Sequence, residues 1–275
     1  MIVVTGASGN VGRRVVEALA ATGEQVTALS RGPQAGDRPA GVRGVRGDLA
    51  EPAGLREVFT GADALFLLVA GDAPHEVLDA AKTAGVRRVV LLSSQGAGTR
   101  PEAYAHPAAF EAAVHGSGLD WTVLRPGGFA TNSLGWAESV RTGRTVVAPF
   151  GDVALPVVDP ADIAAVAAAV LAGGGEGHTG RTYELTGPAA VTPREQARAI
   201  GAALGEEVRF VEQSREEARA RMLSFMPEPV VDATLGILGS PLPAEQAVSG
   251  DVERLLGRPA GSFADWAAAH AAAFR

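Results

Sequence analysis

Short apolar, β-branched runs alternate along the chain with segments in which apolar residues recur every three or four positions. Such an alternation is typical of a parallel β-sheet covered by helices on both faces. The intervening segments predict four helices, near residues 10–22, 52–59, 73–84 and 104–117. The apolar runs predict strands at residues 2–5, 25–30, 41–48, 64–70, 87–94, 120–126 and 181–187. The predicted fold class is therefore α/β, with a Rossmann-type doubly wound parallel sheet.

The pattern changes in the C-terminal half of the chain. Residues 133–172 predict a helix, a short strand around TVVAPF and a further helix that begins at Pro160. Farther on, Thr192 stands three residues before Glu195, a capping-box spacing that predicts another helix start. The run VRFVEQS predicts a strand after that helix. This second region therefore mixes helices and strands in another order.

The chain of 275 residues is long enough for a large core and a smaller lobe. We expect residues 1–150 to form the core, completed by a strand that returns near residues 181–187. We expect residues 151–275 to form a small α+β lobe that encloses a substrate and does not fold independently.

Composition and charge narrow the functional classes. Hydrophobic residues make up 47% and charged residues 20% of the chain, as in folded globular proteins. The net charge of −7 argues against nucleic acid as the main partner, because an extended basic face is difficult to assemble. No apolar run is long enough to span a bilayer, so no membrane partner is expected. The absence of cysteine favours a cytoplasmic location, and no spacing of histidines and carboxylates predicts a metal site.

The segment TGASGNVG directly follows the first predicted strand and opens the first predicted helix. Its glycines, Gly6, Gly9 and Gly12, have the spacing G-x-x-G-x-x-G, a relative of the dinucleotide fingerprint. Gly6 permits a tight turn, Gly9 lets the pyrophosphate approach the backbone, and Gly12 lets helix and strand pack closely. The free N–H groups of a helix N-terminus bind anions. This segment therefore predicts a nucleotide cofactor.

The second predicted strand ends in Ser30 and Arg31, where NAD-preferring sites carry an acid. A guanidinium can bind a 2′-phosphate bidentately, so NADP(H) is favoured, with NAD(H) as the alternative. A solvated surface arginine is the competing interpretation. Asp48, at the end of the third strand, is placed to meet the adenine edge or to cap the next helix.

At this point the chain resembles the atypical short-chain dehydrogenase/reductases, in particular the NmrA-like, NAD(P)H-binding group that includes type 2 quinone oxidoreductases. The resemblance covers nearly the whole chain, implies an NADP(H) cofactor and leaves the substrate open. It is carried by TGASGNVG at 5–12, SRGP at 30–33, GDL at 47–49, LLSS at 91–94, SGLDWTVLRPGGFATN at 117–132, VDPADIAAVAAAVL at 158–171, YELTGPAAVTPREQARAIGAALG at 183–205 and the closing GRPAGSFADWA.

Members of the wider superfamily that act on alcohols and ketones use a Tyr-x-x-x-Lys pair, in which the lysine lowers the pKa of the tyrosine. Here Tyr104 is followed four residues later by Ala108, and Tyr183 by Gly187. The one lysine, Lys82, belongs to a different predicted helix. The proton-transfer pair is therefore absent.

Four residues are candidates for the chemistry. Ser93 and Ser94 end the fifth predicted strand, at the edge where open α/β sheets bind ligands, and resemble the superfamily's carbonyl-holding hydroxyl. Tyr104 and His106 follow on the next segment. His106 is the first candidate for a proton donor, with a surface histidine at a helix start as the alternative.

The turn RPGGF, which leaves the sixth predicted strand, lies beside the expected nicotinamide position. Its backbone is predicted to hydrogen-bond a carboxamide. An aromatic wall for a flat substrate is predicted from Phe129, Trp136 and Phe150, with Gln95 as a further substrate contact. The predicted cofactor contacts are Thr5, Gly6, Ser8, Gly9, Asn10, Val11, Gly12, Arg31, Asp48, Leu49, Val69, Ala70, Ser93, Pro126, Gly127 and Phe129.

Three functional hypotheses remain open at the level of sequence. The favoured one is an NADPH-dependent reductase of a quinone or conjugated aromatic, polyketide-type substrate. Hydride transfer is the main chemical step for such a substrate, and a dedicated Tyr–Lys acid is unnecessary. The second is a non-catalytic NADP-binding redox sensor or regulator. The third is a tailoring oxygenase or isomerase on the same scaffold. The expected partner is a small aromatic or quinone molecule, and the chain is expected to be a monomer or homodimer.

Overall fold

The computed structural model of the protein describes residues 1–32, 39–172 and 177–275. Within this part of the chain, seven strands form one sheet in the order β3-β2-β1-β4-β5-β6-β8, and two form a small separate sheet, β7-β9. The strands are β1 Ile2–Val4, β2 Val26–Ser30, β3 Val42–Arg46, β4 Ala64–Leu68, β5 Arg88–Leu92, β6 Asp120–Pro126, β7 Thr145–Ala148, β8 Arg181–Leu185 and β9 Arg209–Glu212. The predicted strands are confirmed, most of them one or two residues shorter.

The strand order reverses at β1. Val3 of β1 pairs with Thr27 of β2 on one side and with Leu65 of β4 on the other, and both pairings are parallel. The chain winds outward through β2 and β3 and then returns past β1 to β4. Ligands of open α/β sheets bind at the carboxyl ends of the strands beside such a reversal. The fold therefore places the predicted phosphate turn, which follows β1, at this position.

The predicted helices are confirmed, whereas the short helix after β5 and the helices after β9 were not predicted. The apolar positions of the predicted helices after β1, β4 and β5 are buried, which is why periodicity located these helices. Short 3-10 turns precede two of the helices and close the chain, at Pro52–Gly54, Ala130–Trp136 and Ala271–Phe274. The helices are α1 Gly12–Ala21, α2 Leu55–Phe59, α3 Pro74–Thr83, α4 Gln95–Thr99, α5 Ala105–Gly116, α6 Ala137–Gly143, α7 Pro160–Leu171, α8 Pro193–Leu204, α9 Arg215–Met222, α10 Glu228–Gly239, α11 Pro243–Gln246, α12 Asp251–Leu256 and α13 Phe263–Ala269.

The chain divides into two compact units, and their boundary differs from the predicted one at residue 150. The first unit comprises Met1–Gly98, Ala105–Pro126 and Pro160–Glu184; the second comprises Thr99–Tyr104, Gly127–Asp159 and Leu185–Arg275. Helix α7 and strand β8 belong to the first unit although they follow part of the second in sequence. Helix α7 packs on α1 and on the sheet, and β8 extends the sheet beside β6. The segment after Pro126 leaves the sheet, so it belongs to the second unit.

Each unit has its own apolar core. In the first, the inner strands β1, β2, β4 and β5 are buried along almost their whole length, which is typical of a sheet covered on both faces. In the second, Trp266 and Phe274 of the C-terminal segment are fully buried against α8. The capping box predicted at α8 is confirmed, since the Glu195 N–H donates to the Thr192 hydroxyl over 3.1 Å. Among the described helices, none has both the length and the apolar character needed to cross a membrane.

Candidate functional site

The glycine-rich turn between β1 and α1 has a backbone that only glycine fits at two of its positions. Gly6 has a φ of +61°, in the left-handed region that glycine adopts readily. A β-carbon on Gly12 would lie 2.2 Å from the carbonyl oxygen of Gly6. The Gly9 N–H donates to that same oxygen over 2.8 Å. Helix α1 therefore starts directly against the turn, as the fingerprint predicts.

This turn is suited to an anion. No side chain caps the N-terminus of α1 at Val11, and no acidic residue lies in its first turn. The N–H groups at a helix start have no partner within the helix and favour negative charge. Arg14 donates to the carbonyl and to the side-chain oxygen of Asn10 over 2.8 and 2.7 Å, which fixes the turn from outside. The residues present therefore fit the pyrophosphate of a dinucleotide.

Thr5 and Ser8, both predicted contacts, differ in environment. Thr5 is buried, and its hydroxyl donates to the Phe66 carbonyl over 3.0 Å and accepts from the Leu68 N–H over 2.8 Å. It therefore joins β1 to β4 across the reversal of strand order. Ser8 is exposed on the turn. Both residues remain predicted cofactor contacts. Thr5 would act indirectly, because its hydrogen bonds fix the start of the turn.

Arg31 directly follows β2 and is exposed. The preceding residue, Ser30, is buried and turns the backbone by donating its hydroxyl to the Gly32 carbonyl over 3.2 Å. Pro33, which the family resemblance includes, lies outside the described residues. Because the Arg31 side chain is exposed, its guanidinium is accessible to a 2′-phosphate. The assignment of Arg31 to that phosphate stays a prediction.

The turn after β3 packs against the loop after β4. The Asp48 carboxylate accepts the Ala50 N–H over 3.0 Å, so it caps this turn. The Leu49 side chain is buried in the core and can meet a cofactor only through its backbone. Gly71 has a φ of +75°, and a β-carbon there would lie 2.9 Å from the Leu49 carbonyl oxygen. Asp48 and Leu49, both predicted cofactor contacts, therefore form one packed edge with the loop that holds Val69 and Ala70.

His106 is bonded to this same loop. Its Nε2 donates to the Gly71 carbonyl over 2.7 Å, and its ring stands edge-on to Phe110, with the centroids 5.3 Å apart. Asp72 lies 3.7 Å from Nε2. To donate a proton to a substrate, His106 would have to act through Nδ1 or release Gly71. The geometry therefore supports an anchor for the loop more directly than the predicted proton donor.

Ser93 lies at the end of β5 and belongs to a buried polar network. Its hydroxyl donates to Oε1 of Glu111 over 2.5 Å. Arg125 of β6 holds both oxygens of that carboxylate, through Nε at 3.0 Å and a terminal nitrogen at 2.6 Å. The Glu111 bond and charge raise the pKa of Arg125 against the opposing effect of burial, so the guanidinium stays charged. The Ser93 proton is therefore committed to Glu111 and not to a substrate carbonyl.

Glu111 and Arg125 are functional candidates that the sequence reasoning missed. The signal was present, because Glu111 stands next to Phe110 on the apolar side of α5, where a carboxylate requires a partner. Arg125 was noticed only as the first residue of the RPGGF turn. An acidic residue in an apolar stripe, followed by a basic residue in the next buried strand, was the pattern that could have identified them.

Ser94, by contrast, keeps its hydroxyl proton available. Its Oγ accepts the Gly96 N–H over 3.2 Å, and its carbonyl accepts the Ala97 N–H over 3.0 Å, so Ser94 caps α4. Within the described part of the chain its hydroxyl donates to no acceptor, and the residue is half-buried. Gln95 is the first residue of α4. Ser94 therefore has the better geometry of the two serines for holding an oxygen of a substrate.

Tyr104 belongs to the second unit and is not an activated phenol. Burial raises its pKa, as does the charge of Glu245, while Arg100 and a hydrogen bond with Thr234 only partly oppose this. Lys82, the one lysine, donates to the Ser117 carbonyl over 2.9 Å. The charge of Arg100 lowers the pKa of Tyr104 too little to offset burial, so the phenol lacks the lowered pKa that the lysine of a Tyr-x-x-x-Lys pair would give. The geometry therefore does not support Tyr104 as an acid, and its catalytic assignment stays a prediction.

The turn that follows β6 is held by backbone pairing. Pro126 ends β6 and is buried. The Gly127 N–H donates to the Leu185 carbonyl over 3.0 Å, so the predicted carboxamide contact would have to come from another group of the turn. Phe129 lies opposite Val158 in a parallel bridge and is half-buried. Its contact with a cofactor or substrate stays a prediction.

Trp136 and Phe150, the remaining predicted wall residues, pack within the second unit. Trp136 lies half-buried against the apolar core of that unit. Phe150 has a φ of +57°, and a β-carbon on Gly239 would lie 2.6 Å from its ring. The ring also packs against Val231 and Leu235 of α10. Both residues therefore have a structural contact that is independent of any substrate.

The comparisons with known proteins agree with a fold that binds a nicotinamide dinucleotide. A family model described as NAD(P)H-binding matches residues 6–173. Over its whole length the chain is 40% identical to the (4-alkanoyl-5-oxo-2,5-dihydrofuran-3-yl)methyl phosphate reductase of Streptomyces griseus and 36% identical to the NAD(P)H azoreductase of Xenophilus azovorans, and it covers 99% of each. The structure matches that of an NADPH-dependent quinone oxidoreductase of Escherichia coli with a TM-score of 0.80 and 27% identity, over 98% of this chain and 99% of that chain.

These findings confirm three of the predictions made from sequence. The fold class, the nicotinamide dinucleotide cofactor and the resemblance to the NmrA-like proteins all stand. The individual contacts with the cofactor and the catalytic assignments stay predictions.

Proposed function

Because this chain belongs to the NAD(P)H-binding family, in the NmrA-like group of atypical short-chain dehydrogenase/reductases, we propose that it reduces an electron-poor, conjugated acceptor with NADPH. The oxidoreductase class itself is confirmed by the reductases to which the chain is similar. The proposal concerns the acceptor, which we place among quinones and related conjugated rings or double bonds.

One observation carries the choice of acceptor. The chain combines a turn that fits a dinucleotide with a phenol whose pKa is raised and a lysine that is bonded elsewhere. A plain ketone needs an acid to protonate the oxygen as hydride arrives. A conjugated acceptor spreads the incoming charge over its π system, so protonation can follow from water. A site without a tuned acid therefore favours the conjugated acceptor.

The relatives support the same chemical class. Their names specify a dihydrofuran ring with an oxo group, an azo group and a quinone. Each of these groups is an unsaturated system that accepts two electrons and two protons. We carry over to this chain only what the three have in common, an electron-poor π system.

The roles of the chain's own residues follow from the geometry. The bound cofactor supplies a hydride from its nicotinamide ring. The turn at Gly6–Gly12 holds the pyrophosphate of the cofactor, and Arg31 holds its 2′-phosphate. The Ser94 hydroxyl donates to an oxygen or nitrogen of the acceptor and so orients it. Both carboxylate oxygens of Glu111 accept hydrogen bonds from Arg125, and the Ser93 hydroxyl also donates to Glu111, so this network directs no donor at the acceptor and the second proton comes from solvent.

The proposal also places this reaction in the cytoplasm, with the protein as a monomer or homodimer. The cysteine-free sequence supports a reducing compartment. Size-exclusion chromatography with light scattering tests the assembly directly, and a larger oligomer would contradict this part of the proposal.

The experiment is an acceptor panel under anaerobic conditions. Purified protein and NADPH are mixed with a benzoquinone, an azo dye or an unsaturated lactone, and in parallel with a saturated ketone of similar size. We expect consumption of NADPH with at least one conjugated acceptor and none with the ketone. Tyr104→Phe should leave the rate unchanged, because the phenol takes no part.

Two results would overturn the proposal. Reduction of the ketone at a comparable rate would mean that the site contains an acid that the geometry does not reveal. Tight binding of NADPH with no consumption by any acceptor would favour the regulator instead.

A further inference from the structure

A charged cluster around the buried Glu111 lies at the carboxyl ends of the central strands of the first unit. The Glu111 side chain is only 6% exposed. It accepts hydrogen bonds from the Ser93 hydroxyl and from Nε and Nη2 of Arg125. A second carboxylate, Glu184 of β8, lies 3.5 Å from the outer nitrogen of Arg125. The cluster therefore joins the end of β5, the middle of α5, β6 and β8.

The same guanidinium supports the short helix α4. A β-carbon on Gly98 would lie 2.3 Å from a terminal nitrogen of Arg125, so the backbone of Gly98 rests directly on the charged group. At the other end of α4, Ser94 receives the N–H groups of Gly96 and Ala97. Because Ser93 is bonded to Glu111, the backbone is fixed on both sides of Ser94. The cluster thus determines where the Ser94 hydroxyl lies.

Stability alone does not account for this cluster. A buried ion pair loses about as much free energy through desolvation as it gains, and well-packed apolar residues of similar volume often replace one without loss. A charged cluster immediately beside a candidate substrate contact is instead suited to fixing one geometry. Proton delivery by this cluster is also excluded. The Glu111 carboxylate accepts two hydrogen bonds from Arg125, and the Ser93 hydroxyl donates its proton to the same carboxylate.

We propose that Ser93, Glu111 and Arg125 form a positioning network that holds α4 so that the Ser94 hydroxyl is fixed for the acceptor. None of the three touches the acceptor in this account. The inference rests on the proposed function for the role of Ser94. The claim that the network fixes α4 does not depend on it.

The test uses a pair of variants that separates positioning from folding. The double variant Glu111→Leu with Arg125→Met removes both charges at once and keeps a buried apolar volume. The single variant Glu111→Gln keeps the shape of the side chain and the bond with Ser93. The control is Glu206→Gln, which removes an exposed ion pair with Arg144 in the second unit.

The first measurement is amide hydrogen exchange on the protein alone, without nucleotide or acceptor. In the double variant, the Gly96 and Ala97 N–H groups should exchange at least about tenfold faster, while the amides of β5 keep their protection. Glu111→Gln should give a smaller change in the same residues, and Glu206→Gln none. Unchanged exchange at Gly96 and Ala97 in a folded variant would overturn the network's role. If the double variant fails to fold, Glu111→Gln decides the question alone.

The second measurement is steady-state kinetics with the acceptor that the panel identifies. The double variant should lower kcat by roughly 10- to 100-fold, as a misplaced group does, with the KM for NADPH unchanged. Adding Ser94→Ala to the double variant should cost little more, because the hydroxyl is already displaced. The proposal would be contradicted if Ser94→Ala lowered kcat by the same factor in the double variant as in the unmodified protein. If no acceptor is reduced by the unmodified protein, the proposed function fails, while the exchange experiment still decides whether the network fixes α4.

Discussion

Gly12, the first residue of α1, lies against Gly6 so closely that a β-carbon on Gly12 would sit 2.2 Å from the Gly6 carbonyl oxygen. This contact brings the start of the helix to the end of β1, at the reversal of strand order. The free N–H groups of the helix and the backbone of the turn consequently face the same place. Nucleotide binding in this account depends on that closeness.

Gly12→Ala should therefore weaken NADPH binding by at least about tenfold and destabilise the fold by about 1–3 kcal/mol, as overpacking does. The added methyl group must push the helix away from the turn. Calorimetric titration and chemical denaturation measure the two effects. Gly116→Ala is the matched control, because nothing lies within 4 Å of a β-carbon there. Unchanged NADPH affinity in a folded Gly12→Ala protein would mean that the pyrophosphate lies elsewhere.

Arg31→Ala should raise the dissociation constant of NADPH by roughly 10- to 100-fold and leave that of NADH nearly unchanged. A hydrogen bond between charged groups contributes about 1.5–3 kcal/mol, and only NADPH carries the 2′-phosphate. Arg56→Ala, an exposed arginine on α2, is the control and should affect neither cofactor. Equal losses for both cofactors would remove the assignment of Arg31.

His106→Ala should raise the KM for NADPH several-fold while kcat stays the same. The side chain anchors the Gly71 loop through a single hydrogen bond, which contributes about 1 kcal/mol. His75→Ala, an exposed histidine at the start of α3, should change neither constant. A fall in kcat, together with the loss of a titration from its pH profile, would instead identify His106 as the proton donor predicted from sequence.

Much of this arrangement could be predicted from the pattern of residues alone. The turn at Gly6, Gly9 and Gly12 was predictable because a local spacing and a neighbouring strand define it. The network of Ser93, Glu111 and Arg125 was not, because its members come from three elements and meet only once the strand order is known. For the same reason His106 was assigned to catalysis, although its bond to Gly71 joins residues far apart in sequence.

The boundary between the units was also beyond the reach of local pattern. Helix α7 and strand β8 follow a stretch of the second unit, yet they pack on α1 and beside β6. Composition changes only gradually over this region. The return of the chain to the first core is therefore a property of packing rather than of sequence periodicity.

The stability of the second unit should depend on pH through Glu245. Burial alone would raise the pKa of this carboxyl, but hydrogen bonds from Arg100, the Leu242 N–H and Thr99 outweigh burial and lower it. A lowered pKa means that its contribution is complete above the unfolded value of about 4.5 and is lost as the pH falls through the folded value.

Glu245→Gln should accordingly destabilise the protein by about 3 kcal/mol at neutral pH, since it leaves Arg100 without its buried partner. The loss should shrink as the pH falls below the unfolded value. Denaturation curves at several pH values measure this, with the exposed Glu206→Gln as a nearly neutral control. A loss that is the same at every pH would contradict the account of the pair.

The most direct test of the central claim follows the hydride itself. NADPH that carries deuterium on one face of the nicotinamide ring, and then on the other, is reacted with a conjugated acceptor in the presence of the protein. Mass spectrometry of the NADP⁺ that forms should show deuterium lost from one face and kept from the other, with a slower reaction for the isotopomer that loses it. Equal loss of deuterium from both faces, or NADPH that stays bound and unreacted, would contradict the account.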